Sequence, residues 1–181
     1  MKKIILLLLT VAAFAACDKE DGTSKIRYAS ENTSISDGFF TSDNMHFYGT
    51  ATVTDSEGGS YSDPEAWFEF AGDRETLVLY MHQTRFAAAM PALDMRIYQF
   101  AYTPGEGASL SFEVENIIPQ VRLPNEVGGG YSYQPMPSYA LSDIEGSVDN
   151  TLCRVAFTCT VPRLGTYRME YEGRLLEKGS I

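Results

Sequence analysis

Thr151-Leu152-Cys153-Arg154-Val155-Ala156-Phe157-Thr158-Cys159-Thr160-Val161 decides how this chain folds. Alternate positions read Cys, Val, Phe, Cys, Val, and the residues between them are mostly polar. A period of two is the signature of a β-strand with one apolar face. Cys153 and Cys159 fall on that face six residues apart, about 20 Å along a strand rising ~3.4 Å per residue. A disulfide tolerates Cα separations up to only about 7 Å. Both cysteines are therefore expected as buried free thiols serving as small apolar side chains.

The pattern extends in both directions. Upstream, Asp149-Asn150 is a two-residue hairpin signal leading back to a strand over Tyr139 to Val148. Downstream, Pro162 to Gly165 turns into Thr166 to Leu176. Further toward the N-terminus, strands are expected at His46 to Thr54, Ala66 to Ala71, Thr76 to His82, Arg96 to Tyr102 and Leu110 to Asn116. Asp55-Ser56-Glu57-Gly58-Gly59, Gly72-Asp73-Arg74 and Pro104-Gly105-Glu106-Gly107 supply turns between them. In the strand from Arg96, the alternation puts Arg96, Tyr98, Phe100 and Tyr102 on one face. Eight short strands separated by turn signals predict an all-β fold, an eight-stranded antiparallel meander barrel, with a β-sandwich as the alternative. Two segments interrupt the meander. Gln83 to Met95 holds three alanines and predicts a helical turn ended by Pro91. Ile117 to Ser138 holds four prolines and Gly128-Gly129-Gly130, and reads as a long loop of the kind that is usually functional or disordered.

Composition bounds the function. The chain has 181 residues, a formal charge of −10, 44% hydrophobic and 12% aromatic residues. That supports one globular domain and excludes a disordered chain. An acidic balance excludes nucleic acid as the main partner, because phosphate recognition needs a basic footprint.

The N-terminus reads as an address. Lys2-Lys3, the apolar run from Ile4 to Ala13 and Phe14-Ala15-Ala16 make residues 1–16 a secretory leader, too short to span a bilayer. Small residues followed directly by Cys17 resemble a bacterial lipobox, which implies lipidation of Cys17 and a membrane anchor made of lipid alone. Removing the leader takes two lysines and no acid, so the mature chain carries −12. Asp18, Glu20 and Asp21 behind the cysteine resemble the surface-export signal of Bacteroides-type lipoproteins and imply an outward-facing outer-membrane protein; under enteric-type sorting, Asp18 directly after the cysteine instead implies inner-membrane retention. Residues 17–44 are expected as a tether and residues 45–181 as the domain. Phe39-Phe40 stands out in that tether, either tucked against the domain or exposed on it.

Tyr48-Gly49-Thr50-Ala51-Thr52-Val53, the run Leu77 to His82 leading into Arg85-Phe86-Ala87 and Met90-Pro91, and Glu145-Gly146-Ser147-Val148 before the last hairpin together resemble the calycin-like β-barrel lipoproteins of Bacteroides-type bacteria. The resemblance spans about residues 44–176 and implies a small barrel. The lipocalin signature Gly-X-Trp is absent, since Gly49 is followed by Thr50 and Ala51.

Catalytic signals are sparse. His46 and His82 are the only histidines, and no His, Cys or carboxylate cluster has zinc spacing. There is no Gly-X-Ser-X-Gly elbow and no phosphate loop. Glu113 and Glu115 alternate with Leu110, Phe112 and Val114 and mark a solvated strand face. Asp55, Glu57 and Asp63 lack calcium-loop spacing. The aromatic surplus is the stronger lead. Trp67, Tyr98 and Tyr102 are candidates to line a ligand cavity, and Tyr131, Tyr133 and Tyr139 are candidates for recognition from the proline-rich segment. The reading that follows is a non-enzymatic binding module without cofactor, metal or catalytic residues. Its ligand is a small apolar molecule, a glycan or a protein. The alternative is a structural accessory subunit of an outer-membrane assembly.

Overall fold

A computed structural model describes residues 34–41 and 44–177. The leader over residues 1–16, Cys17 and the acidic run behind it lie outside the described residues. Alternation does set the strands. A short hairpin, β1 (Ile35–Ser36) and β2 (Phe39–Phe40), precedes the main sheet. The sheet is built from β3 (Met45–Asp55), β4 (Ser60–Asp63), β5 (Trp67–Gly72), β6 (Thr76–Thr84), β7 (Leu93–Ala101), β8 (Thr103–Pro104), β9 (Ser109–Ile117), β10 (Gln120–Pro124), β11 (Tyr131–Pro135), β12 (Leu141–Asp149), β13 (Leu152–Val161) and β14 (Gly165–Leu175). The only helical element among the described residues is one 3-10 turn at Pro137–Tyr139.

All pairs are antiparallel, in the order β11-β10-β7-β6-β5-β3-β14-β13-β12-β9-β8. β5 pairs the first half of β3 and β4 pairs the second half. The fold is thus all-β, with one 12-stranded antiparallel sheet curled into a half-barrel. Three register shifts help it curl. They coincide with Gln83, Gln99 and Asp143, each at positive φ (53°, 47° and 51°), which is where bulges bend and twist a strand.

The inner face is filled with side chains. Phe47, Phe68, Phe70, Leu79, Met81 and Phe157 are all fully buried there. Phe68 stacks on Tyr171 at 3.8 Å between ring centres, and the Tyr171 hydroxyl donates to the Phe47 carbonyl at 2.8 Å. Each such phenylalanine contributes about 2–3 kcal/mol through area removed from water. No ladder pairs β7 with β9 among the described residues. Phe112 of β9 closes that seam instead, 4.9 Å from Phe100 and 5.9 Å from Phe70. Cys153 and Cys159 are buried and free. Burial pushes the Cys159 thiol up to about 12 and raises that of Cys153 well above its ordinary value.

Both ends of the half-barrel are stoppered. At one end sits the β1–β2 hairpin, within the segment expected as tether, so the folded region begins upstream of residue 45. Ile35 and Phe40 are buried. The Asn150 side chain imitates a strand: its Oδ1 accepts from Ile35 N and its Nδ2 donates to Ile35 O, both at 3.0 Å. Phe40 N donates to the Tyr102 hydroxyl at 3.1 Å, Gly38 N donates to Gly107 O at 2.7 Å, and the Arg74 guanidinium lies 4.4 Å from the Phe39 ring centre. At the other end, the segment between β6 and β7 forms no helix, only a single hydrogen-bonded turn before Pro91 in which Met90 N donates to Ala87 O at 3.0 Å. Phe86, Ala87 and Met90 instead bury themselves against the core, with Phe86 edge-on to Phe157 at 5.6 Å. Arg85 anchors this cap through an ion pair to the buried Asp63 at 2.8 Å.

The stretch expected as a long loop, Ile117 to Ser138, is largely a hairpin. β10 and β11 pair over five positions from Gln120↔Pro135 to Pro124↔Tyr131. Its tip carries Gly128, Gly129 and Gly130 at φ 86°, 71° and 79°, a conformation that only glycine adopts freely.

Candidate functional site

Because the interior is occupied, chemistry must come from the outer face. Register aligns the outward side chains of six neighbouring strands into two rows. One row runs Tyr48, Trp67 and His82 by the pairs Tyr48↔Trp67 and Trp67↔His82. It continues past Asp94 to Arg122 and Tyr133, which are themselves paired. The second row runs His46, Glu69, Tyr80, Arg96 and Gln120, each opposite the next. Six strands at ~4.8 Å spacing give a strip about 24 Å long.

Glu69 organises the first half of the strip. His46 Nε2 approaches its Oε1 at 3.6 Å, His82 Nε2 approaches its Oε2 at 3.3 Å, and Asn44 Nδ2 donates to Oε1. Burial works to raise the Glu69 carboxyl, but the hydrogen bonds from His46, His82 and Asn44 outweigh it and hold the group at about 2. His82 is fixed from both sides. Its Nδ1 lies 3.8 Å from Asp94 Oδ1, and its ring stacks on Trp67 at 3.7 Å with a 12° tilt. His46 meets the same indole edge-on at 5.6 Å.

Aromatic rings and guanidinium groups make the second half. Tyr80 lies 6.2 Å from His82 and 5.8 Å from Tyr133. Arg96 Cζ sits 4.6 Å from the centre of the Tyr133 ring and 4.8 Å from that of Tyr98. Arg122 Cζ sits 4.7 Å from the Tyr131 ring, and its Nη1 lies 3.5 Å from Asp94 Oδ2. Tyr98 and Tyr131 are 49% and 62% exposed. Burial, reinforced by Asp94 and Tyr80, raises the Tyr133 hydroxyl, which therefore stays a hydrogen-bond donor.

The candidates from sequence divide accordingly. Trp67, Tyr98, Tyr131 and Tyr133 join the strip. Tyr102 and Tyr139 do not. Tyr102 receives the β1–β2 hairpin and donates to Asp73 O at 3.0 Å, while Tyr139 lies in the 3-10 turn against Phe86 at 6.3 Å. Trp67 and Tyr98 face outward, so neither lines an internal cavity. Tyr98 and Phe100 were expected on one face, but the Gln99 bulge sends Tyr98 outward and Phe100 into the core. Sequence reasoning missed Glu69, Tyr80, Arg96 and the meeting of His46 with His82. Local patterning gives Glu69 and Tyr80 no distinguishing signal and puts Arg96 on one face with Phe100, and it is the register that brings them together.

The remaining sites are simpler. Glu113 and Glu115 are exposed on the wet face of β9. Asp55 is engaged in its own turn, accepting from the backbone of Glu57 and Gly59, while Asp63 holds Arg85. No group of three or more His, Cys, Asp or Glu among the described residues has metal-binding geometry. A concavity of about 640 Å3 opens away from the strip, on the outer face of β3, β14, β13, β12 and β9, over the small residues Gly146 and Ala156. Its rim acids Glu172 and Glu145 pair with Arg154 and Arg168. No helix among the described residues is long and apolar enough to cross a membrane. In comparisons with known proteins, the chain matches no family model, no curated protein and no solved structure.

Proposed function

We propose that this protein is a lipid-anchored surface binding module that holds a glycan on the outer strip, without catalysing a reaction. The observation that carries the reading is the Trp67–His82–Tyr80–Tyr133 run of rings, interleaved with fixed carboxylate, imidazole and guanidinium groups. An extended chain of hydroxylated rings needs apolar contact and directional hydrogen bonds repeated along a line, and the strip supplies both. A protein interface would need a desolvated apolar centre, whereas the middle of this strip carries the ionic groups Asp94 and Arg96 between the Glu69 cluster and Arg122. A small apolar ligand would need interior space that Phe40, Phe86 and the core rings already occupy.

In the same reading, Cys17 carries the lipid, the acidic run behind it directs the protein outward across the outer membrane, and the barrel is eight-stranded and closed. Support for closure comes from β9 and β10 acting as one strand through Ile118-Pro119, pairing with β12 on one side and β7 on the other.

The test is calorimetric titration of the full-length protein in detergent micelles against a panel of neutral and acidic oligosaccharides. The neutral members are xylo-, manno-, malto- and galacto-oligomers. The acidic members are galacturonate, alginate and hyaluronan fragments. At least one member is expected to bind with micromolar to millimolar affinity, weakened tenfold or more by Trp67→Ala and by Tyr133→Ala. Binding that ignores both variants, or no binding across the panel, refutes the proposal.

A further inference from the structure

The strip contains one cation whose surroundings differ from those of its neighbours. Outside the strip Arg74, Arg163 and Arg174 have no ion pair among the described residues, but Arg122, the strip's other guanidinium, lies against Asp94, and Arg85, Arg154 and Arg168 elsewhere each lie against a carboxylate. Arg96 does not: among the described residues, no carboxylate lies within ion-pair distance of it, although the chain has 24 acidic residues against 14 basic ones. The nearest acids along its own strands are otherwise occupied. Asp94, two residues before it, takes His82, Arg122 and the Gln83 backbone N–H. Glu69 lies two ladder spacings away, roughly 10 Å, with the Tyr80 ring in the row between them.

Arg96 is nonetheless held firmly. The rings of Tyr98 and Tyr133 each lie within 5 Å of its Cζ, and its Nε donates to Gln120 Oε1 at 2.6 Å. A guanidinium has five N–H donors in a rigid plane. With Nε engaged and two rings packed on the group, its conformational entropy is already spent, and the terminal nitrogens remain as a fork that matches a planar carboxylate. The half-exposed Tyr98 ring beside it offers stacking area for the sugar that bears such a group.

From this geometry we infer that Arg96 anchors a carboxylate subsite, so that the ligand of the strip is a uronate-bearing glycan. The inference rests on the glycan reading and narrows it.

The experiment pairs each acidic oligomer (galacturonate, alginate and hyaluronan fragments) with its methyl ester, which keeps the ring and removes the charge. Titrations use the full-length protein in micelles, with dextran sulfate as a separate anionic probe. At least one acid is expected to bind tenfold or more tighter than its ester. Arg96→Gln should abolish that preference, so that acid and ester bind the variant with equal affinity, and Arg96→Lys, which keeps the charge without the fork, should restore only part of it. A thermal melt of Arg96→Gln within a few degrees of wild type assigns the loss to the subsite. If that variant does not fold, wild-type selectivity between acid and ester decides alone. Equal affinity for every acid and its ester, or binding confined to neutral oligomers, overturns the inference and leaves the glycan reading standing. Dextran sulfate bound as tightly, with the same dependence on Arg96, overturns the assignment to a carboxylate. No binding by any probe overturns both.

Discussion

Replacing Phe40 with alanine tests whether the folded unit reaches upstream of residue 45. Phe40 is fully buried at the hairpin end of the half-barrel. Truncating a buried phenylalanine costs about 3–5 kcal/mol in lost transfer energy and cavity formation. The cost has a ceiling, because once it exceeds the docking free energy of the hairpin, β1 and β2 detach and the sheet persists without them. Asn150→Ala attacks the same docking differently. It removes both hydrogen bonds to Ile35, leaving a backbone donor and acceptor unsatisfied at about 1–3 kcal/mol. Phe39→Ala serves as the control, since that ring is only half-buried and its contact with Arg74 is worth ~1 kcal/mol. Urea unfolding of the full-length protein measures all three. Phe40→Ala is expected to lose about 3 kcal/mol or more. Combined with Asn150→Ala, it should lose less than the sum of the two, because both variants approach the same ceiling. The dependence on urea should also fall, since a native state with its hairpin released exposes less new surface on unfolding. A Phe40→Ala protein as stable as Phe39→Ala, or strict additivity with Asn150→Ala, would refute the docking argument.

Three further outcomes follow from the side-chain chemistry. Glu69 is held at about 2 against an ordinary 4.5, so its ionised form stabilises the fold fully above pH 4.5 and loses that contribution as pH falls toward 2; up to ~3 kcal/mol is involved. The stability gap between wild type and Glu69→Gln should therefore shrink across that window in urea melts, and a pH-independent gap would contradict the hydrogen-bond assignment. Cys153 and Cys159 should resist a water-soluble disulfide reagent at pH 8 until urea unfolds the protein, because burial suppresses both thiolates; rapid labelling of the native protein would contradict it. Arg85→Met leaves the buried Asp63 carboxylate without its cation and should cost about 3 kcal/mol. Adding Asp63→Asn should recover part of that loss in thermal melts, and no recovery would mean that the cost is in packing.

The inner face was legible because its determinants are local. Cys153, Val155, Phe157 and Cys159 alternate within one strand, and each strand shows its buried side without reference to its neighbours. The strip was not legible in the same way. His46 and His82 lie 36 residues apart in sequence, and only the shared register of β3, β5 and β6 brings both to Glu69. A single bulge also defeats alternation: Gln99 resets the parity of β7, so pattern reading placed Tyr98 beside Phe100 when they point to opposite sides. In the β10–β11 hairpin, Pro119, Pro124 and Pro135 suggested irregular chain. Yet prolines are compatible with strand ends and edges, where no ladder hydrogen bond is forfeited. The alanine run at 87–89 failed for a different reason. Helix propensity is worth tenths of a kcal/mol per residue, less than burying Phe86 and Met90 over the open end of the sheet.

The hairpin at residues 34–41 also sets the order in which parts of the molecule yield to force. A pull on the N-terminus first meets the two hydrogen bonds from the Asn150 side chain and the pair between Thr41 and the Ser34 carbonyl. Only after these, and the bonds from Gly38 N to Gly107 O and from Phe40 N to the Tyr102 hydroxyl, break does tension reach the β3–β14 ladder, which holds from Phe47 to Asp55. Releasing residues 34–44 adds roughly 35 Å of extended chain at ~3.3 Å per residue. The hairpin is thus a mechanical fuse ahead of the sheet: it yields length under load, and the strip beyond it keeps its shape.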